Sequence, residues 1–414
     1  MQKKLIALAV ASVVSGGAFA QSNVTVYGRI DYALKQSSGD SGGLINQKST
    51  TSFAEGVQAG SRIGFKGAED LGNGLKAIFE LEYGLAVDES ANNVVNTAAA
   101  ATPNANGGAV KFTGTAATWL NRHSYVGLTG GFGTVVGGRL DGVRYNIFNG
   151  YDSSLGAANF VQITRQVDRA NNAIAYISPN FNGFSFLAAY GTHILGANAT
   201  VLGATPGAAA GLTGLNATTT EAAGNLGDFK LATFKVDYVN GPMKLTFDVE
   251  QVKAKDISGS GALAALGGGL TDKISVMTIG GSYDFGMIKV SGVYDTLKDE
   301  LTGAGTLQEK HTWFISAKMP FGQWSAKTTY GKSEDQQNSA ADVKKFGIGI
   351  DYALSKRTTL YADYGKVSNG SASYVGISSS NNAYGPTGNY GGVAPGAVPA
   401  TGVRMIDIGM SHNF

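Results

Sequence analysis

Lys345-Phe346-Gly347-Ile348-Gly349-Ile350-Asp351-Tyr352 sets Phe346, Ile348, Ile350 and Tyr352 on one parity and Lys345, Gly347, Gly349 and Asp351 on the other. Side chains of a β-strand point alternately to opposite faces, so this stretch reads as a strand with one oily and one wet side. The last residues repeat the pattern: Ile406, Ile408, Met410, His412 and Phe414 alternate with Asp407, Gly409, Ser411 and Asn413. Working outward from these two segments, nearly everything after residue 20 divides into similar stretches, joined by tight turns and long loops in turn.

Composition narrows the class. Charged residues make up 15% of the 414, well below the roughly 25% of soluble domains. Hydrophobic residues reach only 43%, and outside the N-terminus no apolar run approaches the ~20 residues of a spanning helix. Sixty glycines and 10% aromatics against eight prolines suit strands and turns. Cysteine is absent, which removes disulfides, thiolate metal sites and thiol nucleophiles. Residues 1–20 have the anatomy of a secretory signal peptide: basic Lys3 and Lys4, an apolar core over Leu5–Val14, and the small-x-small site Ala18-Phe19-Ala20. Cleavage there lowers Lys+Arg from 32 to 30, against 30 Asp+Glu, so the mature chain 21–414 is formally neutral. A basic surface for nucleic acid has no support.

Seven short connections are rich in Gly, Asn and Pro, among them Asp70-Leu71-Gly72-Asn73-Gly74, Gly130-Gly131-Phe132-Gly133 and Asn240-Gly241-Pro242. Eight long ones lie near Lys35–Ala59, Val87–Thr118, Asp141–Asn171, Thr192–Asp228, Ala254–Asp272, Thr296–Lys310, Ser333–Asp342 and Ser368–Gly402. Fifteen connections join about sixteen strands, the even number that single-chain bacterial barrels have. The expectation is an all-β, transmembrane antiparallel β-barrel with short periplasmic turns and long extracellular loops. A soluble sandwich or propeller also alternates, but no blade-like repeat with a fixed motif is present.

Several segments resemble the general diffusion porins of β-proteobacteria. They are Val24-Thr25-Val26-Tyr27-Gly28-Arg29-Ile30-Asp31, Ser61-Arg62-Ile63-Gly64-Phe65-Lys66-Gly67-Ala68-Glu69-Asp70-Leu71-Gly72-Asn73-Gly74-Leu75 and Tyr125-Val126-Gly127-Leu128. Tyr176-Ile177-Ser178-Pro179-Asn180-Phe181-Asn182-Gly183-Phe184 and the closing Phe414 are similar too, and the likeness runs over the whole mature chain. The resemblance implies a homotrimer in outer-membrane lipid, with a third loop folded into the barrel. It also implies assembly by the outer-membrane insertion machinery through the C-terminal strand. The third loop departs from the Pro-Glu-Phe-type acidic motif of some relatives, reading Arg144-Tyr145-Asn146-Ile147-Phe148-Asn149-Gly150-Tyr151-Asp152.

A diffusion pore works through its width and the charges at its narrowest point. On the first strand Val24, Val26, Ile30 and Leu34 face lipid by parity, leaving Thr25, Tyr27, Arg29 and Asp31 inward. The same rule turns Arg62, Lys66, Lys76, Glu80 and Glu82 inward, and Arg139 is expected to point in as well; Arg122 sits where both faces are mixed. The candidate constriction is therefore a basic ladder of Arg29, Arg62, Lys66, Arg122 and Arg139 opposing Asp141, Asp152 and Asp168 of the third loop. Tyr32, Tyr83, Trp119, Trp313, Trp324, Tyr330 and Tyr352 lie near strand ends, as interfacial girdles do. The four histidines have no metal-ligand spacing and no catalytic motif is present, so neither cofactor, metal nor enzymatic chemistry is expected. Passage of ions and small hydrophilic solutes is the leading function. A substrate-selective channel and an adhesion or structural barrel are the alternatives.

Overall fold

A computed structural model describes residues 23–40, 49–85, 87, 122–153, 167, 169–192, 230–253, 273–299, 308–370 and 402–414. The signal segment 1–20, Asp168, Trp119 and most of the long loops lie outside these residues. The described chain is one antiparallel sheet closed on itself. In order it runs β1 (Asn23–Asp40), β2 (Thr50–Glu55), β3 (Arg62–Gly72), β4 (Leu75–Gly84), β5 (Ser124–Gly130), β6 (Gly133–Asp141), helix α1 (Val143–Tyr151), β7 (Arg169–Ile177) and β8 (Phe184–Gly191). It continues with β9 (Lys230–Asn240), β10 (Met243–Lys253), β11 (Lys273–Asp284), β12 (Lys289–Asp299), β13 (Gln308–Phe321), β14 (Trp324–Asp335), β15 (Val343–Ala353), β16 (Thr358–Asn369) and β17 (Gly402–Asn413).

β2 and β3 both pair with the same edge of β1, over Tyr32↔Glu55 to Ser37↔Thr50 and Asn23↔Ala68 to Arg29↔Arg62. They share one position in the wall, so the barrel has sixteen staves. The first and last staves meet from Arg29↔Asn413 to Asp40↔Gly402. Backbone bonds of 3.1 Å run both ways between Gly28 and Phe414, so the terminal residue is zipped into the seam. Closure satisfies every edge, which a wall in hydrocarbon requires.

Parity reads out as expected. Phe346, Ile348 and Ile350 are exposed on the outer face, as are Val24, Val26, Ile30 and Leu34, while Lys345 and Asp31 are fully enclosed. Tight turns hold the staves together at one end. Asn73 and Gly74 alone connect β3 to β4, and both take positive φ, 53° and 76°. That is the geometry a two-residue hairpin needs and the reason Asn-Gly stands there. Trp324 and Tyr352 contact each other near that end, with ring centroids 4.5 Å apart.

Two loop expectations change. The segment 35–59 is not all loop: β1 continues to Asp40 and β2 returns against it. The span 296–310 likewise shortens, because β12 extends to Asp299 and β13 starts at Gln308. On these extensions the outward positions turn polar, Gln36 on β1 and Lys298 on β12, so the strand no longer shows an oily face and the alternation signal fades.

Candidate functional site

Helix α1 enters the barrel directly from β6 through Gly142. Its buried face gathers Val143, Arg144, Ile147, Phe148 and Tyr151, at helical spacing. The receiving wall has inward positions that are apolar or empty: Val293 on β12 and Phe314 on β13, with Phe148 and Phe314 centroids 5.9 Å apart. Gly280 on β11 leaves the space that Tyr151 fills; a methyl group there would sit 2.6 Å from the tyrosine ring. The Tyr151 hydroxyl shares a 2.7 Å hydrogen bond with Thr246. Arg144, 1% exposed, donates through Nε to Asp295 Oδ1 at 2.7 Å and through a terminal nitrogen to Oδ2. Burial disfavours the Arg144 cation, but Asp295, with Glu250 and Asp248 behind it, more than compensates and raises its pKa. The helix is thus locked to β10–β13 by a dry core and a bidentate ion pair.

Across the lumen the wall of β1 and β3–β7 is charged. Arg29 and Arg62 are direct cross-strand partners. Arg62 Nε lies 3.4 Å from Glu82, and Arg122 Nε donates to the same carboxylate, so two guanidiniums converge on one acid. Arg29 donates to the Asn413 side chain at 2.8 Å. Lys66 is exposed and lies over the Tyr27 ring, 5.1 Å from its centroid. Glu80 accepts from the Tyr125 and Tyr27 hydroxyls and lies 3.2 Å from His123 Nε2. His123 in turn meets Asp141 at 3.0 Å, and Asp141 pairs with Arg169 at 2.8 Å.

The structure therefore brings Arg29, Arg62, Lys66 and Arg122 onto one wall. Arg139 is placed by an irregularity: Gly138 takes φ 145°, and the β6–β7 register shifts between Gly138 and Leu140. Its guanidinium bonds the Arg122 carbonyl and the Asn171 side chain. The two described loop acids, Asp141 and Asp152, do not face this wall as a row. Asp141 ends β6, so it belongs to the basic wall itself. Asp152 caps the far end of α1, is 6% exposed and lies beside the enclosed Lys345 of β15. The side of α1 left towards the lumen carries uncharged Tyr145, Asn146 and Asn149, Tyr145 beneath the Arg169 guanidinium at 5.6 Å.

Sequence reasoning missed Arg144, Arg169, His123 and Asp295 as site residues. Arg144 carried a signal, a lone cation among Val143, Ile147 and Phe148 at spacings of one, three and four. Its partner stands 151 residues away, beyond any local pattern.

A closed wall, apolar outside and charged inside, with a loop helix crossing the lumen, defines a channel-forming outer-membrane barrel. Residues 7–372 match the family model of the Gram-negative porins, and the chain belongs to that family. Outer membrane porin protein 32 of Delftia acidovorans is 30% identical over the full length of both chains. An outer membrane porin protein of Bordetella pertussis is 26% identical over 87% of this chain and 93% of its own. Among solved structures, the anion-selective porin from Comamonas acidovorans superposes with a TM-score of 0.65 at 23% identity, covering 95% of this chain and all of that one. The protein resides in the outer membrane and serves passive diffusion of ions and small hydrophilic solutes. Its family is one of pores, not of enzymes.

Proposed function

We propose that the pore prefers anions, with Arg29, Arg62, Lys66, Arg122 and Arg139 as the selecting wall. One observation carries this reading: the Arg62 and Arg122 guanidiniums converge on a single carboxylate beside Arg29. With Arg139 and Arg169, the cations of this wall outnumber Asp31, Glu80, Glu82 and Asp141. Asp141 is absorbed into a pair with Arg169, and Asp152 lies enclosed near Lys345 of β15, so neither offsets the wall from across the gap. An excess of fixed positive charge in a narrow aqueous passage raises the local concentration of anions. The name of the Comamonas neighbour is consistent with this sign.

The wider reading includes residues 1–20 as an export leader, 21–414 as the barrel, a homotrimeric assembly and insertion guided by the closing strand at Phe414. Single-channel recording in asymmetric potassium chloride tests the selectivity: the reversal potential should carry the sign of chloride permeation. A potential of the opposite sign ends the proposal. Liposome swelling by unrelated sugars, at rates ordered by size, separates a general pore from one built for a single solute.

A further inference from the structure

Helix α1 is not the only element inside the barrel. Between β2 and β3 six residues, 56–61, stand opposite only Ile30 and Asp31 of β1, since Glu55 pairs with Tyr32 and Arg62 with Arg29. The surplus folds inward. Gly56 turns at φ 62°, and Val57 and Gln58 are buried, although no stave covers them. Val57 packs with Ala33, Ala54 and Tyr361, all lumen-facing by parity. Gln58 Nε2 reaches Asp351 of β15, 3.2 Å away and three staves beyond β1.

Asp31 is the anchor. Its carboxylate accepts from the Gln58 backbone N–H and the Tyr361 hydroxyl, both at 3.0 Å. Its carbonyl accepts from the Gly56 N–H at 2.8 Å, and its own N–H donates to Ser61 Oγ at 3.0 Å. The other end of the bend holds the selecting wall, because Arg62 donates to the Gly60 carbonyl at 3.1 Å.

We infer that the 56–61 bend is a second constriction element, one that sets the size limit of the pore from the β1, β15 and β16 part of the wall, while α1 fills the lumen against β10–β13. A surplus of four residues costs the wall its regular ladder and yields no outward surface; what it does supply is filled volume inside the lumen. The bend from Gly56 to Ser61 carries no charge, so it restricts by width and leaves the sign of selectivity to the arginines. The inference rests on the protein being a pore, not on the anion preference.

Deletion of residues 57–60 leaves Gly56 and Ser61 to pair with Asp31 and Ile30 and makes the stave continuous. Conductance in potassium chloride should then rise by a factor on the order of two, and sucrose should gain on glucose in liposome swelling, as width-limited passage requires. The sign of the reversal potential should stay. Unchanged conductance and sugar ratio in assembled channels overturn the inference, whatever the reversal potential shows. Should the deletion fail to assemble, Ala59→Cys in this cysteine-free chain, treated with a bulky methanethiosulfonate, decides the matter. Loss of conductance on modification supports the bend as a lumen element, and full conductance with complete labelling refutes it.

Discussion

Two arginines, one on each side of the lumen, are used in opposite ways. Arg144 is enclosed against β10–β13, with its guanidinium matched to both oxygens of Asp295 and aromatic carbon around it. Arg62, on the other side, keeps a quarter of its side chain exposed and shares one carboxylate with Arg122 at 3.4 Å. The first arrangement fixes a loop; the second leaves charge available to passing solutes. Burial decides between the roles, since an ion pair removed from water is strongly coupled to the fold while a wet one is not. The lumen thus has a half in which arginine fixes structure and, on the proposed reading, a half in which it selects solutes.

The largest way to break this contrast is Arg144→Ala. It leaves Asp295, 0% exposed, without its ion-pair partner beside Asp248 and Glu250, and removing one partner of a buried pair costs about 3–5 kcal/mol. Thermal unfolding in detergent should move down, and single-channel currents should become larger and noisier as α1 leaves its groove. Wild-type melting with quiet currents would show that the ion pair is not what holds the loop. Next comes the outer face. Ile348→Arg places a cation where the side chain is now 51% exposed to lipid, at about 2–4 kcal/mol near the midplane. Heat-resistant assemblies at full yield would refute the assignment of faces. Gly280→Val is smaller: the new Cβ would press on Tyr151 at 2.6 Å, an overpacking of roughly 1–3 kcal/mol. It should mimic Arg144→Ala weakly in current noise; indifference there would separate Tyr151 from the docking of the helix.

Faces and turns were legible in the sequence because they depend on neighbours. Ile348 and Phe346 declare the lipid side by alternation, and Asn73-Gly74 declares a hairpin through its backbone preferences. The 56–61 bend was hidden across the end of the loop expected over 35–59, since its anchor partners Tyr361 and Asp351 are some three hundred residues away. Helix α1 was hidden for a related reason: its nine residues make an apolar stripe too short to stand out, and the groove that receives it is assembled from Gly280, Val293 and Phe314 on three separate strands. Parity set Glu80 and Glu82 inside, but nothing local revealed that they organise the arginines. Charge pairing across a barrel depends on closure, which no single strand encodes.

The smallest effect on folding belongs to the residues with the largest claim on function. Replacing Arg62 and Arg139 by Gln removes the 3.4 Å ion pair to Glu82 and three hydrogen bonds, to the Gly60 and Arg122 carbonyls and the Asn171 amide oxygen, and partly exposed pairs of this kind contribute only about 0–1 kcal/mol each. Melting and assembly should therefore stay close to wild type. Permeation should not: two cations leave the narrow wall while Glu80, Glu82 and Asp141 remain, so the reversal potential in a salt gradient should move towards cation permeation. Arg122 still compensates Glu82 after the change, so the shift is expected to be partial, with Arg122→Gln added to extend it. A stable double variant with the original potential would place the selecting charge elsewhere in the lumen and reduce Arg62 and Arg139 to solvated wall residues.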